Sequence, residues 1–179
     1  MHEFFKMNIV GLERNLPICP LNDKVSIAGF IMFGDVELTV KAAEELLKKV
    51  PEFDYIVTPE AKSIPLAYEM ARQSGKKYFV ARKYPKLYMK NILKVEVKSI
   101  TTDRVQTLYL DGNEANELKG KKIVILDDVI STGESILAVE KLVNEAGGIT
   151  VAKAAVLAEG DAADRKDIVF LEKLPLIFK

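Results

Sequence analysis

Two hydrophobic rhythms alternate along this chain, and each change of rhythm marks a new element. "DYIVT" (54–58) is a short apolar run with β-branched residues, as in a strand. Ile64, Ala67, Tyr68 and Ala71 then recur at helical spacing until Gly75 closes the pattern. "KYFVA" (77–81) predicts a strand, and "ILKVEVKSI" (92–100) and "RVQTLYL" (104–110) alternate as half-buried strands do, the second ending at an Asp111-Gly112 turn signal. "KIVIL" (122–126) is apolar from Ile123 onward, the mark of a parallel strand covered on both faces. Ile136, Val139, Val143 and Ala146 predict the next helix, closed by Gly147-Gly148, and "ITVAKAAVLA" (149–158) and "IVFLE" (168–172) predict further strands. Upstream, Val36, Val40, Ala43, Leu47 and Val50 mark one more helix. The expected fold class is α/β: a mostly parallel twisted sheet with helices on both faces and an antiparallel insertion near 92–111.

Composition narrows the classes. The 179 residues suit a single domain, with 49% hydrophobic residues and 26 basic residues balancing 26 acidic ones. No apolar run approaches membrane-spanning length, and "MHEFFKMNIV" lacks the pattern of a signal peptide. A cytoplasmic location fits the single cysteine, Cys19, which excludes an internal disulfide. His2 is the only histidine and is expected in a fraying terminus, which closes off a Ser-His-Asp triad or a His-rich metal site.

The chemistry concentrates after the strand at 122–126. Asp127 and Asp128 are expected at its carboxyl end, where open α/β sheets bind ligands. Residues 131–135 fall where a helix would begin, and their N–H groups, with the hydroxyls of Ser131, Thr132 and Ser135, suit a phosphate. Two carboxylates would repel that phosphate, so vicinal sugar hydroxyls are their natural partners. A lone D-D or S-T-G would usually be a strand end and a helix cap; here both stand in one strand–loop–helix unit. No G-x-x-x-x-G-K-[ST] or G-x-G-x-x-G occurs, which excludes a P-loop and a dinucleotide fingerprint. Residues 76–98 carry eight Lys or Arg against one acid, Glu96. Such a run is ordinarily a solvated face, or with Tyr78, Tyr84 and Tyr88 a nucleic-acid platform.

"VILDDVISTGES" (124–135) resembles the 5-phosphoribosyl-1-pyrophosphate (PRPP) motif of the type I phosphoribosyltransferases, in their purine (adenine/xanthine-like) branch. "VTPEAKSIPLAYEMA" (57–71) is similar to their pyrophosphate loop, its E-A-K-S matching the E-A-R-G of adenine enzymes, and "ARKYPKLYMKN" (81–91) to the start of their flexible loop. The resemblance implies a purine salvage enzyme using PRPP with Mg²⁺. It places Asp127 and Asp128 on the ribose hydroxyls, with indirect contact to the metal through PRPP or water. Ser131, Thr132, Gly133, Glu134 and Ser135 would hold the 5-phosphate, and Ala61, Lys62 and Ser63 the pyrophosphate. Arg82, Lys83 and Lys86 would close over it as catalytic cations. Phe30, Ile31 and Met32 of "GFIMF" (29–33), with Glu159, would meet the base, although the bland reading of Phe30 and Phe33 is core.

Some positions depart from the pattern. Glu134 replaces a second glycine, Ser131 replaces the aspartate of hypoxanthine-guanine enzymes, and Met32 and Gly160 replace the asparagine and lysine of xanthine enzymes. Adenine is therefore the expected base, ahead of xanthine, hypoxanthine or orotate. A PRPP-sensing regulator is the rival from another class, since "RVQTLYL" is similar to a purine-operon repressor segment. About 50 residues before "FDYIVT" are too few for a DNA-binding domain as well as a hood. The remaining expectations are one domain over 1–179, its hood from about 1–35 and the C-terminal region, a homodimer, and no DNA or membrane partner.

Overall fold

The computed structural model describes residues 3–98 and 105–178. His2 and residues 99, 100 and 104 of the two alternating segments lie outside them. Strands β1 (Phe4–Ile9), β2 (Leu12–Pro20) and β3 (Val25–Ala28) come first, followed by helix α1 (Val36–Lys49). Next are β4 (Tyr55–Pro59), α2 (Ile64–Ser74), β5 (Lys77–Ala81), the pair β6 (Leu93–Lys98) and β7 (Val105–Leu110), and α3 (Gly112–Leu118). The chain ends with β8 (Lys122–Ile130), α4 (Glu134–Glu145), β9 (Ile149–Glu159), a 3-10 turn (Gly160–Asp164), β10 (Val169–Leu174) and β11 (Leu176–Phe178).

The central sheet has the order β10-β9-β8-β4-β5 with every pair parallel. Its strands alternate between two apolar layers, as the period of two requires. Val124 and Leu126 of β8 face the cluster with α1 and α2, while Ile123 and Ile125 face the one with α3 and α4. A second, antiparallel sheet joins β1-β2-β3-β11, bringing the last strand back beside the third. The β6–β7 hairpin packs its buried Val95, Leu108 and Leu110 into the α3–α4 layer, and Lys141 Nζ on α4 donates to the Glu96 carbonyl at 2.9 Å.

Several expectations need correction. The strand predicted over 122–126 continues to Ile130, because β9 pairs with it as far as Ile130↔Ala158, whereas its other neighbour β4 follows only to Val57↔Ile125. Asp127 and Asp128 are thus inside an overhanging strand rather than past its end. Asp111-Gly112 opens α3 instead of a turn: the Asp111 side chain accepts from the Asn113 N–H and caps the helix. The apolar stripes of α1 and α2 keep Ala43, Ala67 and Ala71 of the predicted positions and differ at the others. Leu38, Ala42, Ala43 and Leu46 of α1 and Leu66, Ala67 and Met70 of α2 are buried, while Val36, Val40 and Tyr68 are exposed. These three line a 270 Å³ surface groove with Met32 and Pro65.

Candidate active site

The β8 overhang governs the site. Where the β4–β8 pairing ends, the Thr58 hydroxyl takes over, donating to the Leu126 carbonyl at 2.9 Å and lying 2.7 Å from Ser63 Oγ. Ser63 is buried, its hydroxyl turned inward to Thr58 and the Pro59 carbonyl, so only its main chain faces the loop Ala61–Ser63. Ala61 and Lys62 are exposed, and the Glu60–Ala61 peptide is cis. Lys62 Nζ reaches back to Asp128 Oδ2 at 3.4 Å. The candidate pyrophosphate loop and the carboxylate pair are therefore brought together.

Both carboxylates are buried. Asp127 Oδ1 accepts the Asp128 N–H at 2.9 Å, and Asp128 Oδ2 has no hydrogen-bond donor, only the Lys62 charge beyond hydrogen-bond geometry. Burial, then the neighbouring Asp128 charge and a side-chain hydrogen bond shared with Asp128, push the Asp127 carboxyl up to about 7, against the partial relief of the Asp128 N–H and Lys62. A buried acceptor without a donor costs stability on the order of 1–3 kcal/mol. A hydroxyl-bearing ligand would supply what Asp128 lacks.

Ser131 and Thr132 are exposed, and Gly133, with φ +81°, is the N-cap of α4. The left-handed conformation turns the chain into the helix, so the N–H groups of the first turn face outward. Glu134 and Ser135, half-buried, occupy that turn, and the Glu134 N–H lies 3.4 Å from Thr132 Oγ1. An acidic side chain is favourable at a helix N-terminus, which explains how Glu134 fits there without a second glycine.

The predicted cations split. Arg82 is pinned: its backbone bridges to Tyr109, Nη1 reaches Glu60 Oε1 at 3.2 Å and Nη2 the Tyr88 hydroxyl at 2.8 Å. Lys83 is exposed, its N–H donating to Glu60 Oε2 at 3.0 Å, and Lys86 is half-buried. That Lys83 N–H is the main cause of a Glu60 pKa below the ordinary value. Glu60 thus ties the start of the basic segment to the candidate pyrophosphate loop. It went unassigned from sequence although it begins the quoted E-A-K-S. Of "GFIMF", Phe30 and Met32 are buried in the core with α1 and α2, and Ile31 and Phe33 are exposed. Glu159 is half-buried at the carboxyl end of β9, which lies between β8 and β10.

Residues 34–175 match the phosphoribosyl transferase domain family. The chain belongs to that family. It is a phosphoribosyltransferase, as the motif at 124–135 implied. The adenine phosphoribosyltransferase of Fervidobacterium nodosum is 34% identical over 160 residues, covering 83% of this chain and 85% of that protein. The hypoxanthine/guanine phosphoribosyltransferase of Methanococcus voltae is 31% identical over 153 residues, covering 86% and 75%. Among solved structures, the adenine phosphoribosyltransferase of Thermoanaerobacter pseudethanolicus superposes with a TM-score of 0.72 at 24% identity, over 89% of this chain and 95% of that one. This phosphoribosyltransferase therefore has relatives named for different purines, and the choice of base has to be argued from its own residues.

Proposed function

We propose that this phosphoribosyltransferase moves the 5-phosphoribosyl group of PRPP onto adenine, giving AMP and pyrophosphate. The observation that carries the sugar-phosphate half is the buried Asp127–Asp128 pair with its unpartnered Oδ2 beside Lys62. The pair accepts from the ribose hydroxyls, and the 131–135 loop takes the 5-phosphate on its N–H groups and hydroxyls. As the C1–O bond to pyrophosphate breaks, positive charge grows on the ribose and negative charge on the leaving group. Lys62, Arg82, Lys83 and Lys86 stabilise the second, and a ring nitrogen of the base completes the new bond at C1 while the imidazole-ring proton of the base passes to the departing pyrophosphate or to water. Among the described residues no group of three or more His, Cys, Asp or Glu forms a metal cage. Asp127 and Asp128 would hold Mg²⁺ indirectly, through the ribose hydroxyls of PRPP or water, and such oxygen donors suit this hard cation. When bound, the ion neutralises charge on the departing pyrophosphate.

The preference for adenine rests on Gly160. A 6-oxo purine wants a donor at that edge of the ring. Gly160 has φ +56°, and a Cβ there would lie 3.2 Å from Leu176 Cδ1, so a lysine at this position would be strained. Lys153 is engaged elsewhere, 2.9 Å from Asp167 and 3.4 Å from Glu140. Adenine needs only an acceptor for its amine, which main-chain carbonyls of the 29–33 segment supply. The test is kcat/KM with PRPP and Mg²⁺ for adenine, hypoxanthine, xanthine, guanine and orotate. Adenine should lead by roughly ten- to a hundredfold. A lead for hypoxanthine or guanine, the bases in the name of the M. voltae relative, would overturn the choice of base alone.

A homodimer in the cytoplasm completes this reading. Val36, Val40 and Tyr68, apolar, periodic and off the core stripes, converge on one groove that a second copy would cover. Among the described residues no helix is long and apolar enough to cross a membrane.

A further inference from the structure

A cavity of 250 Å³ opens on the α4 flank of the 131–135 loop, lined by Thr132, Gly133, Glu140, Lys153, Arg165 and Asp167 among others. No spacing in the sequence announces it, because its charged groups come from α4, β9 and the segment after the 3-10 turn. Arg165 Nε and Nη2 donate to Asp167 Oδ1 and Oδ2 at 2.9 and 2.8 Å, a two-pronged bond that fixes the guanidinium plane. Asp167 is held in turn by Lys153 Nζ at 2.9 Å, and Lys153 also reaches Glu140 at 3.4 Å. The remaining nitrogen, Nη1, presses on the loop: a Cβ added to Gly133 would lie 2.3 Å from it. The guanidinium fills the space that any side chain at 133 would need.

We propose that Arg165 is a positioning residue for the phosphate loop, giving the loop its selectivity for a doubly charged phosphomonoester. The inference rests on the reading of 131–135 as the 5-phosphate site. That loop offers neutral donors and carries the Glu134 carboxylate in its first helical turn, an arrangement with no positive charge of its own. Arg165 is the cation built against it. Of the charged groups facing Arg165, Asp167 and Glu140 are shared with Lys153, and Glu134 belongs to the loop itself. The guanidinium braces Gly133 in its left-handed conformation and puts a fixed charge behind the N–H groups that meet the phosphate.

Calorimetry with ribose 5-phosphate, without base or metal, at pH 5 and pH 8 tests this, because a phosphomonoester loses its second proton near about pH 6. Arg165→Met should weaken binding about tenfold at pH 8, where the ligand is a dianion, and only about two- to threefold at pH 5. Arg165→Lys should restore most of the pH 8 affinity. Asp127 ionises over the same range in each protein, so it cancels when the variants are compared with wild type at each pH. Thermal melts check folding, and if Arg165→Met fails to fold, Arg165→Gln supplies the uncharged comparison. Equal losses at both pH values, with lysine no better than methionine, would make Arg165 a packing brace and overturn the proposal. So would unchanged binding. If wild type binds neither ribose 5-phosphate nor PRPP, the phosphate-site reading falls together with it; if wild type binds and the variants match it, only the role of Arg165 falls.

Discussion

Replacing Asp127 with asparagine should stabilise the free protein above neutral pH and at the same time weaken its hold on PRPP. Burial and the Asp128 charge raise the Asp127 carboxyl from its ordinary 3.8 to about 7 in the folded state. Below 3.8 the carboxyl is protonated in folded and unfolded chains alike, and Asp127 adds no pH dependence. Between 3.8 and about 7 the unfolded chain ionises while the folded one keeps its proton, so the folded state loses stability as pH rises. Above about 7 both are ionised and the loss is complete. At about 1.36 kcal/mol for each pH unit crossed, the ceiling is about 4 kcal/mol. Relaxation and water entry around an ionised carboxylate bring the expected gain of Asp127→Asn at pH 8 to about 2 kcal/mol, or roughly 4–8 °C in Tm for a chain of this size. Carboxylates held low, such as Asp35 and Asp167, slope the other way, so the informative quantity is the Tm difference between variant and wild type. Thermal melts in metal-free buffer from pH 4 to 8.5 should show that difference near zero at the acid end and growing through pH 7. A difference that stays flat with pH, or a wild type that is the more stable at pH 8, would refute the reasoning. In the same variant PRPP affinity should fall roughly ten- to a hundredfold, since a charge-assisted bond of about 1.5–3 kcal/mol is lost.

Asp128→Asn should leave the fold intact and weaken PRPP binding by a similar roughly ten- to hundredfold factor, read by calorimetry with Mg²⁺; unchanged affinity would return Asp128 to a structural role. Arg82→Ala with Lys83→Ala should lower kcat more than PRPP affinity, by roughly tenfold or more, if their contacts strengthen as charge develops on the leaving group. Steeply salt-dependent RNA binding that disappears in that double variant would instead mark the basic segment as a nucleic-acid platform. Gly112→Ala should destabilise the protein by about 1–3 kcal/mol, because overpacking forces the backbone to move. Its Cβ would lie 2.6 Å from the Asn91 carbonyl oxygen and 2.8 Å from that of Lys90. An unchanged melting temperature would show that the 90–91 loop yields freely.

The parallel sheet was legible because its strands are buried on both faces and bounded by glycine and polar breaks; β5 falls on the predicted 77–81. The antiparallel sheet was not. β1 and β2 alternate exposed Lys6, Glu13 and Asn15 with few buried positions, a weak signal beside the continuous runs downstream. Asp127 and Asp128 hid the end of β8, since aspartate is a poor strand former and only pairing with β9 carries the strand past them. In α1 and α2 the spacing gave the helices but only part of each stripe: Ala43, Ala67 and Ala71 are buried, whereas Val36, Val40 and Tyr68 are apolar yet lie on the surface. The residues of the PRPP motif were readable as one contiguous stretch. Glu60 and Arg165 were not, for their significance lies in partners that only folding brings near: Arg82 and Lys83 for one, Gly133 and Asp167 for the other.

The unequal lengths of β4 and β8 also bear on how the protein keeps from sticking to itself. Past Ile125 the strand β8 has β9 on one side and no paired strand on the other, which is the kind of opening through which sheets recruit a strand from another molecule. An intruder there would have to settle against two buried carboxylates and the ammonium of Lys62. Charge turned toward a sheet edge is a deterrent to such pairing, and β4 closes the approach with Pro59, whose nitrogen has no hydrogen to offer. Uncharged replacements at Asp127 and Asp128 together are therefore expected to make that edge more prone to pairing with another chain.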